Sequence, residues 1–228
     1  MVLFMNNQRT VFLTGGARGI GAAIREELLM AGYTVISPSR EELDLASKDS
    51  VEAYLRDHSD IAVDVLINNA GMNVPEKISK ISWDTWNKTL QINLGSAVRL
   101  IQFLAPGMSS RGYGRILNTS SILGLVTKEG RAAYSMTKAA LNALTRSAAL
   151  EFGADGVLVN SLAPGYVDTE LTRKNNSPEA LASIIRSIPL GRMADPKELA
   201  RVASFLVSDQ NTYLTGQTIV VDGGFTCS

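Results

Sequence analysis

A short apolar run, a glycine turn and an amphipathic helix follow one another near the start of the chain, and no other stretch restricts the fold as much. Thr10 to Thr14 (TVFLT) is β-branched and aromatic and stops at glycine, the pattern of a buried strand. GGARGIG comes next, then AAIREELLMAG, whose Ile24, Leu28 and Leu29 recur at helical spacing before Gly32 closes the helix. This order makes a pyrophosphate cradle. Gly15 permits the turn, Gly19 lets backbone approach a phosphate, and Gly21 lets helix and sheet pack closely. A glycine-rich turn also serves purely structural ends, so the remaining chain has to supply the other parts of a site.

It continues in the same alternation. A second strand, Thr34 to Ser37, ends on Ser and Pro where an NAD-preferring fold places an acidic residue, and Arg40 follows. With Arg18 in the glycine loop, Arg40 forms a clamp for the 2′-phosphate of NADP, opposed by the neighbouring Glu41 and Glu42. Leu43 to Leu45 reads as a very short third strand, and SKDSVEAYLRDH as a helix capped by Ser47 or Asp49. The link between the second and third strands is then far below the dozen or so residues of a parallel crossover, as if a helix were missing. Val63 to Ile67 is a strand running into Asn68 to Gly71 (NNAG). A long helix begins at Ser82, with Asn93 in its middle, where Asn is mildly unfavourable. Arg115 to Thr119 is a strand ending on Ser120 and Ser121. GVLVNSLAPG is another, ending on Pro164 and Gly165, and TGQTIVVDGG is the last. The stretch at about 166–190, polar and broken in its middle, reads as a lid over a pocket.

Such alternation predicts a single-domain α/β Rossmann fold over residues 1–228, a doubly wound parallel sheet with helices on both faces. The chemically interesting groups all follow carboxyl ends of strands, where ligands bind in such sheets. With 22 basic and 22 acidic residues, the chain carries no broad electrostatic footprint for nucleic acid. No stretch approaches the roughly 18 apolar residues of a membrane span, and the opening MVLFMNN is too short for a signal-peptide core, so a cytoplasmic protein is expected. One histidine, His58, and one cysteine, Cys227, make no metal-binding cluster.

Tyr134 and Lys138 stand four residues apart in a run of helix formers, so phenol and ammonium share a helix face. A cation held there is expected to lower the phenol pKa and make it a proton donor and acceptor near neutrality.

Taken together, TGxxxGxG over Thr14 to Gly21, NNAG, Ser121, Tyr134 to Lys138, NSLAPGYVDTEL and LTGQTIVVDGG resemble the short-chain dehydrogenase/reductase family nearly end to end. The pattern is most similar to the 3-oxoacyl-acyl-carrier-protein reductases of fatty acid biosynthesis and to the sugar or polyol dehydrogenases. Enoyl reductases of the superfamily usually separate Tyr and Lys more widely. The resemblance implies a catalytic set of Asn93, Ser121, Tyr134 and Lys138, acting on a small or carrier-bound carbonyl with NADP, NAD being the alternative. It implies cofactor contacts from Gly15, Arg18, Gly19, Ile20 and Gly21, from Arg40, Asp44 and Leu45 around the adenosine, and from Asn69, Ala70 and Gly71. Tyr134, Lys138, Pro164, Gly165, Val167 and Thr169 would serve the nicotinamide end. It further implies a homodimer or homotetramer, for which the helices carrying Trp86 and Leu141 with Leu144 are candidates, while Arg131 and Arg173 at the pocket mouth would meet an acidic carrier. A nucleotide-sensing regulator without catalysis is the reading from a different class.

Overall fold

The computed structural model describes residues 9–227; the opening apolar run of residues 1–8 lies outside them. Six parallel strands form one sheet: β1 (Thr10–Leu13), β2 (Thr34–Ile36), β3 (Val65–Asn68), β4 (Gly114–Thr119), β5 (Val157–Pro164) and β6 (Thr218–Val221), in the order β2-β1-β3-β4-β5-β6. β2 and β3 lie on opposite sides of β1, so the order reverses there and leaves a crevice beyond the carboxyl ends of β1 and β3.

Alternating residues of each strand feed two cores. Phe12, Leu66 and Ile116 face one side, with α2 (Lys48–Asp57), α4 (Ser96–Ser110) and α5 (Ala132–Phe152) packed over them through Leu55, Leu100, Met108 and Ala148. Val11, Leu13, Val65, Ile67 and Leu117 face the other, beneath α1 (Gly19–Met30) and α8 (Pro196–Val207). Burial on both faces is why the strands read as continuous apolar runs. Among the described residues, no helix is long and apolar enough to cross a membrane.

Leu43 to Leu45 is not a strand. The apolar alternation is real, since Leu43 and Leu45 are buried, but the backbone is satisfied locally. Leu43 N donates to Ser39 O, Asp44 N to Ser50 Oγ and Ala46 N to Asp44 Oδ1, which leaves no ladder for a neighbouring strand. Nor is a crossover helix missing. The second strand is followed by α2 and then β3, a complete crossover, and β2 is simply the sheet edge.

Two further expectations change. The long helix from Ser82 is α3 (Trp83–Leu90) and α4 joined by a π turn, Gln91–Gly95, with buried Asn93 inside it. Leu141 is 1% exposed and so offers nothing to a second subunit; Trp86 is half-buried. The stretch 166–190 contains α6 (Glu170–Lys174) and α7 (Pro178–Ser187).

Leu66→Ala, at a fully buried point between Phe12 and Ile116 in the sheet, should cost about 2–5 kcal/mol in urea unfolding. A loss below about 1 kcal/mol would mean that this face of the sheet is not close-packed.

Candidate active site

Two loops meet at the crevice because one hydroxyl joins them. Thr14 Oγ1, at the end of β1, accepts from the backbone N–H groups of Asn69 and Ala70, each at 3.0 Å. Asn69 returns the tie through Nδ2, which donates to Thr14 O at 3.1 Å and Gly15 O at 3.2 Å. Gly15 has φ 70 and Gly19 φ 55, a backbone region suited to glycine. A Cβ on Gly21 would collide with Gly15 O and Asn69 Nδ2, so this glycine is demanded by close packing.

These loops open on a cavity of about 980 Å³, amply sized for a dinucleotide and a small substrate. Every cofactor and catalytic residue anticipated above lines it except Asn93. Asn93 sits behind the wall. Its Oδ1 accepts from Met72 N at 2.8 Å, and its Nδ2 donates to Met72 O and Thr137 Oγ1, both at 3.0 Å, so its side chain fixes the loop after Gly71. The π turn that presents it is a device found often at functional sites.

At the inner end, β4 stops at Thr119 and the chain turns through Ser120 and Ser121 toward α5. Lys138 is buried under this turn and donates through Nζ to Thr119 O at 2.5 Å. Its ammonium lies 5.6 Å from the centre of the Tyr134 ring. A Cβ on Gly71 would come within 3.5 Å of that ammonium, so the NNAG loop passes directly over it.

The electrostatics differ from the expected pairing. Burial pushes the Tyr134 phenol above its ordinary value, and the influences that pull it down are a hydrogen bond with Ser121 and the charge of Arg131. Burial also lowers Lys138, to about 8. Arg131 lines the cavity as expected, but it is 6% exposed and holds Asn73 Oδ1 at 3.1 Å, too deep to reach a carrier protein. Arg173 is forked onto Asp168 at 2.7 and 2.8 Å.

At the outer end, no acidic residue occupies the positions just after β2, where Ser37, Pro38, Ser39 and Arg40 line the cavity. Glu42 is turned onto its own loop, accepting from Ser39 N at 2.7 Å, which holds its carboxyl below the usual range. Arg18 meets Glu170 at 3.5 Å and Arg40 meets Asp44 at 3.6 Å, both exposed pairs that a phosphate can outcompete. The dinucleotide therefore fits: a glycine cradle for the pyrophosphate, an arginine pair beside the adenosine position, and an enclosed phenol, hydroxyl and ammonium at the far end. Thr14 and Thr137 were not singled out for their part in this, and Arg131 was not expected to be buried. A hydroxyl directly before the glycine loop was the signal for Thr14; nothing marked Thr137.

The chain is similar to known proteins over most of its length. A family model described as Enoyl-(Acyl carrier protein) reductase matches residues 39–226, and the chain belongs to the short-chain dehydrogenase/reductase family. It is therefore an NAD(P)-dependent oxidoreductase. The acetoacetyl-CoA reductase of Shinella zoogloeoides is 37% identical, covering 95% of this chain and 98% of that protein. The 3-oxoacyl-acyl-carrier-protein reductase of Vibrio cholerae is 33% identical, covering 95% and 96%. Among solved structures, a putative NAD(P)-dependent gluconate 5-dehydrogenase from Beutenbergia cavernae with bound NADP matches with a TM-score of 0.91 at 34% identity, covering 96% of this chain and 97% of that one.

Burial of Lys138 has a measurable consequence. Its pKa falls from 10.5 to about 8, so between these values the unfolded chain binds the extra proton. Stability of the cofactor-free protein should therefore rise with pH through that window, by on the order of 3 kcal/mol from this group. Lys138→Met should flatten the rise in urea unfolding compared at about pH 7.5 and about pH 10; equal slopes in both proteins would mean a solvated amine.

Proposed function

We propose that this chain catalyses hydride exchange between NADP(H) and a ketone or its secondary alcohol, with Tyr134 as the proton donor and acceptor. The observation that carries this reading is the convergence of Ser121, Tyr134 and Lys138 on one wall of a cavity whose other walls are the glycine loop and Asn69 to Gly71. When bound, the nicotinamide supplies or accepts the hydride. The remaining tasks fall to the chain. Ser121 holds the substrate oxygen and the phenol together, and Tyr134 delivers its proton to that oxygen as the carbonyl is reduced. Arg131 and Ser121 favour the phenolate that remains. Lys138 holds the nicotinamide ribose hydroxyls from beneath Gly71, and Asn93 keeps the loop there in place.

Gly15, Gly19, Ile20 and Gly21 hold the pyrophosphate, Asp44 and Leu45 the adenine, Asn69 and Ala70 the adenosine ribose. Pro164, Gly165, Val167 and Thr169 hold the carboxamide, and Arg18 with Arg40 takes the 2′-phosphate. The segment 166–190 acts as the substrate lid of a one-domain, cytoplasmic enzyme working as a homodimer or homotetramer. Two substrate classes suit this chemistry. A 3-oxoacyl thioester is supported by the curated relatives, and a sugar acid by the solved structure. A non-catalytic sensor would have no use for the assembled phenol, hydroxyl and ammonium.

Tyr134→Phe should lower kcat by about 10²–10⁴-fold while NADPH still binds; turnover like that of the wild type would remove Tyr134 as proton donor. In fluorescence titrations, NADPH should bind more tightly than NADH, and Arg40→Ala should narrow the gap by about tenfold. Tighter NADH binding would overturn the roles of Arg18 and Arg40.

A further inference from the structure

We propose that Arg131 is the anion-binding residue of the substrate pocket, and that the ketone or alcohol carries a carboxylate a few bonds from its reacting carbon; this rests on Tyr134 being the proton donor. Exposed arginines of this chain meet carboxylates, as Arg99 meets Glu52, Arg173 meets Asp168 and Arg192 meets Glu198, and the other buried one, Arg115, donates to the carbonyls of Gly114, Gly156 and Asn211 away from the cavity. Arg131 is buried, and among the described residues no carboxylate pairs with it. Its Nη1 donates to the amide oxygen of Asn73 at 3.1 Å and its Nη2 to the backbone carbonyl of Asn175 at 3.4 Å. Both acceptors are neutral. Glu129, two residues before it, is taken by Lys77 at 3.1 Å, and Oε2 of Glu76 is buried without a hydrogen-bond partner.

A guanidinium withdrawn from water without a counter-charge is costly, and buried arginines are ordinarily paired. Here the missing charge faces the cavity, which Arg131 lines together with Lys128 and Tyr134. A second feature has the same sign. The 21-residue helix α5 starts directly after Arg131 with no side-chain cap and no acidic residue in its first turn, so its positive end is uncompensated.

Spacing sets the distance to the chemistry. Arg131 and Tyr134 are three residues apart at the start of one helix, roughly 5–6 Å between Cβ atoms. An oxygen held by Ser121 and Tyr134 would bring a carboxylate one to three carbons away under the guanidinium, whose planar fork suits it. An acyl thioester presents no charge there.

The test compares matched ketones with NADPH: acetoacetate against methyl acetoacetate, and 4-oxopentanoate against its methyl ester. Calorimetric titration with succinate and succinamide serves as a readout independent of turnover. The wild type should favour the acids. Arg131→Gln should lose about 30-fold or more in kcat/KM on the acids beyond its loss on the esters, mostly through KM, and Arg131→Lys should recover part of it. Asn73→Asp, close to isosteric, gives Arg131 an internal carboxylate and should cancel the preference with the arginine still present, which decides the matter if Arg131→Gln does not fold. A wild-type preference for esters, or equal losses on acid and ester in both variants, would overturn the proposal. Ester turnover without succinate binding leaves the hydride-transfer reading standing and removes the anion site. Succinate binding that depends on Arg131, with no ketone reduced, does the reverse.

Discussion

One oxygen atom, the hydroxyl of Thr14, fastens the site together. It accepts the N–H groups of both Asn69 and Ala70 and so ties the end of β1 to the end of β3 across the point where strand order reverses. The glycine turn and the NNAG loop are separated by some fifty residues in sequence, yet they share one crevice because of this tie. Gly71 is thereby laid over Lys138, and Asn93 holds the next residue from behind. Sheet topology makes the crevice; these few polar contacts decide which side chains face into it.

The fold was largely legible because the four inner strands are buried on both faces and the strands end in glycine, asparagine or serine turns. That combination gives apolar runs with abrupt stops. The failure at Leu43 to Leu45 is instructive, since the leucines do point inward as an alternating strand would require. Pleating cannot be told from a tight turn by side chains alone when the backbone partners are Ser39, Ser50 and the segment's own Asp44. Site residues were legible where a motif named them. Arg131 was read at the pocket mouth but not as buried, because the residues that hold it there, Asn73 and Asn175, are distant in sequence. Lys138 lines the cavity, as its motif implied, but its lowered proton affinity was not legible, since spacing says nothing about desolvation.

The inner end of the cavity runs against the chain's own stability. It gathers a buried ammonium, a buried guanidinium and a phenol pushed up by burial, with neutral carbonyl and amide oxygens as their neighbours. Charge left uncompensated by the fold is charge available to a ligand. The outer end is organised differently, with arginines in exposed pairs that are easily exchanged. Deep groups are thus fixed for chemistry, and peripheral ones are free to regroup around whatever nucleotide arrives.

The π turn at Gln91–Gly95 also bears on how this chain can vary. It represents one surplus residue wound into an otherwise regular rod, and each α-helical residue turns the rod by about 100°. Excising that residue would restore even winding, but would rotate Trp83–Leu90 about the axis and swing it away from α5, against which it packs. The irregularity acts as a phase corrector, letting a single continuous element address the nucleotide loop at one level and the neighbouring helix at another.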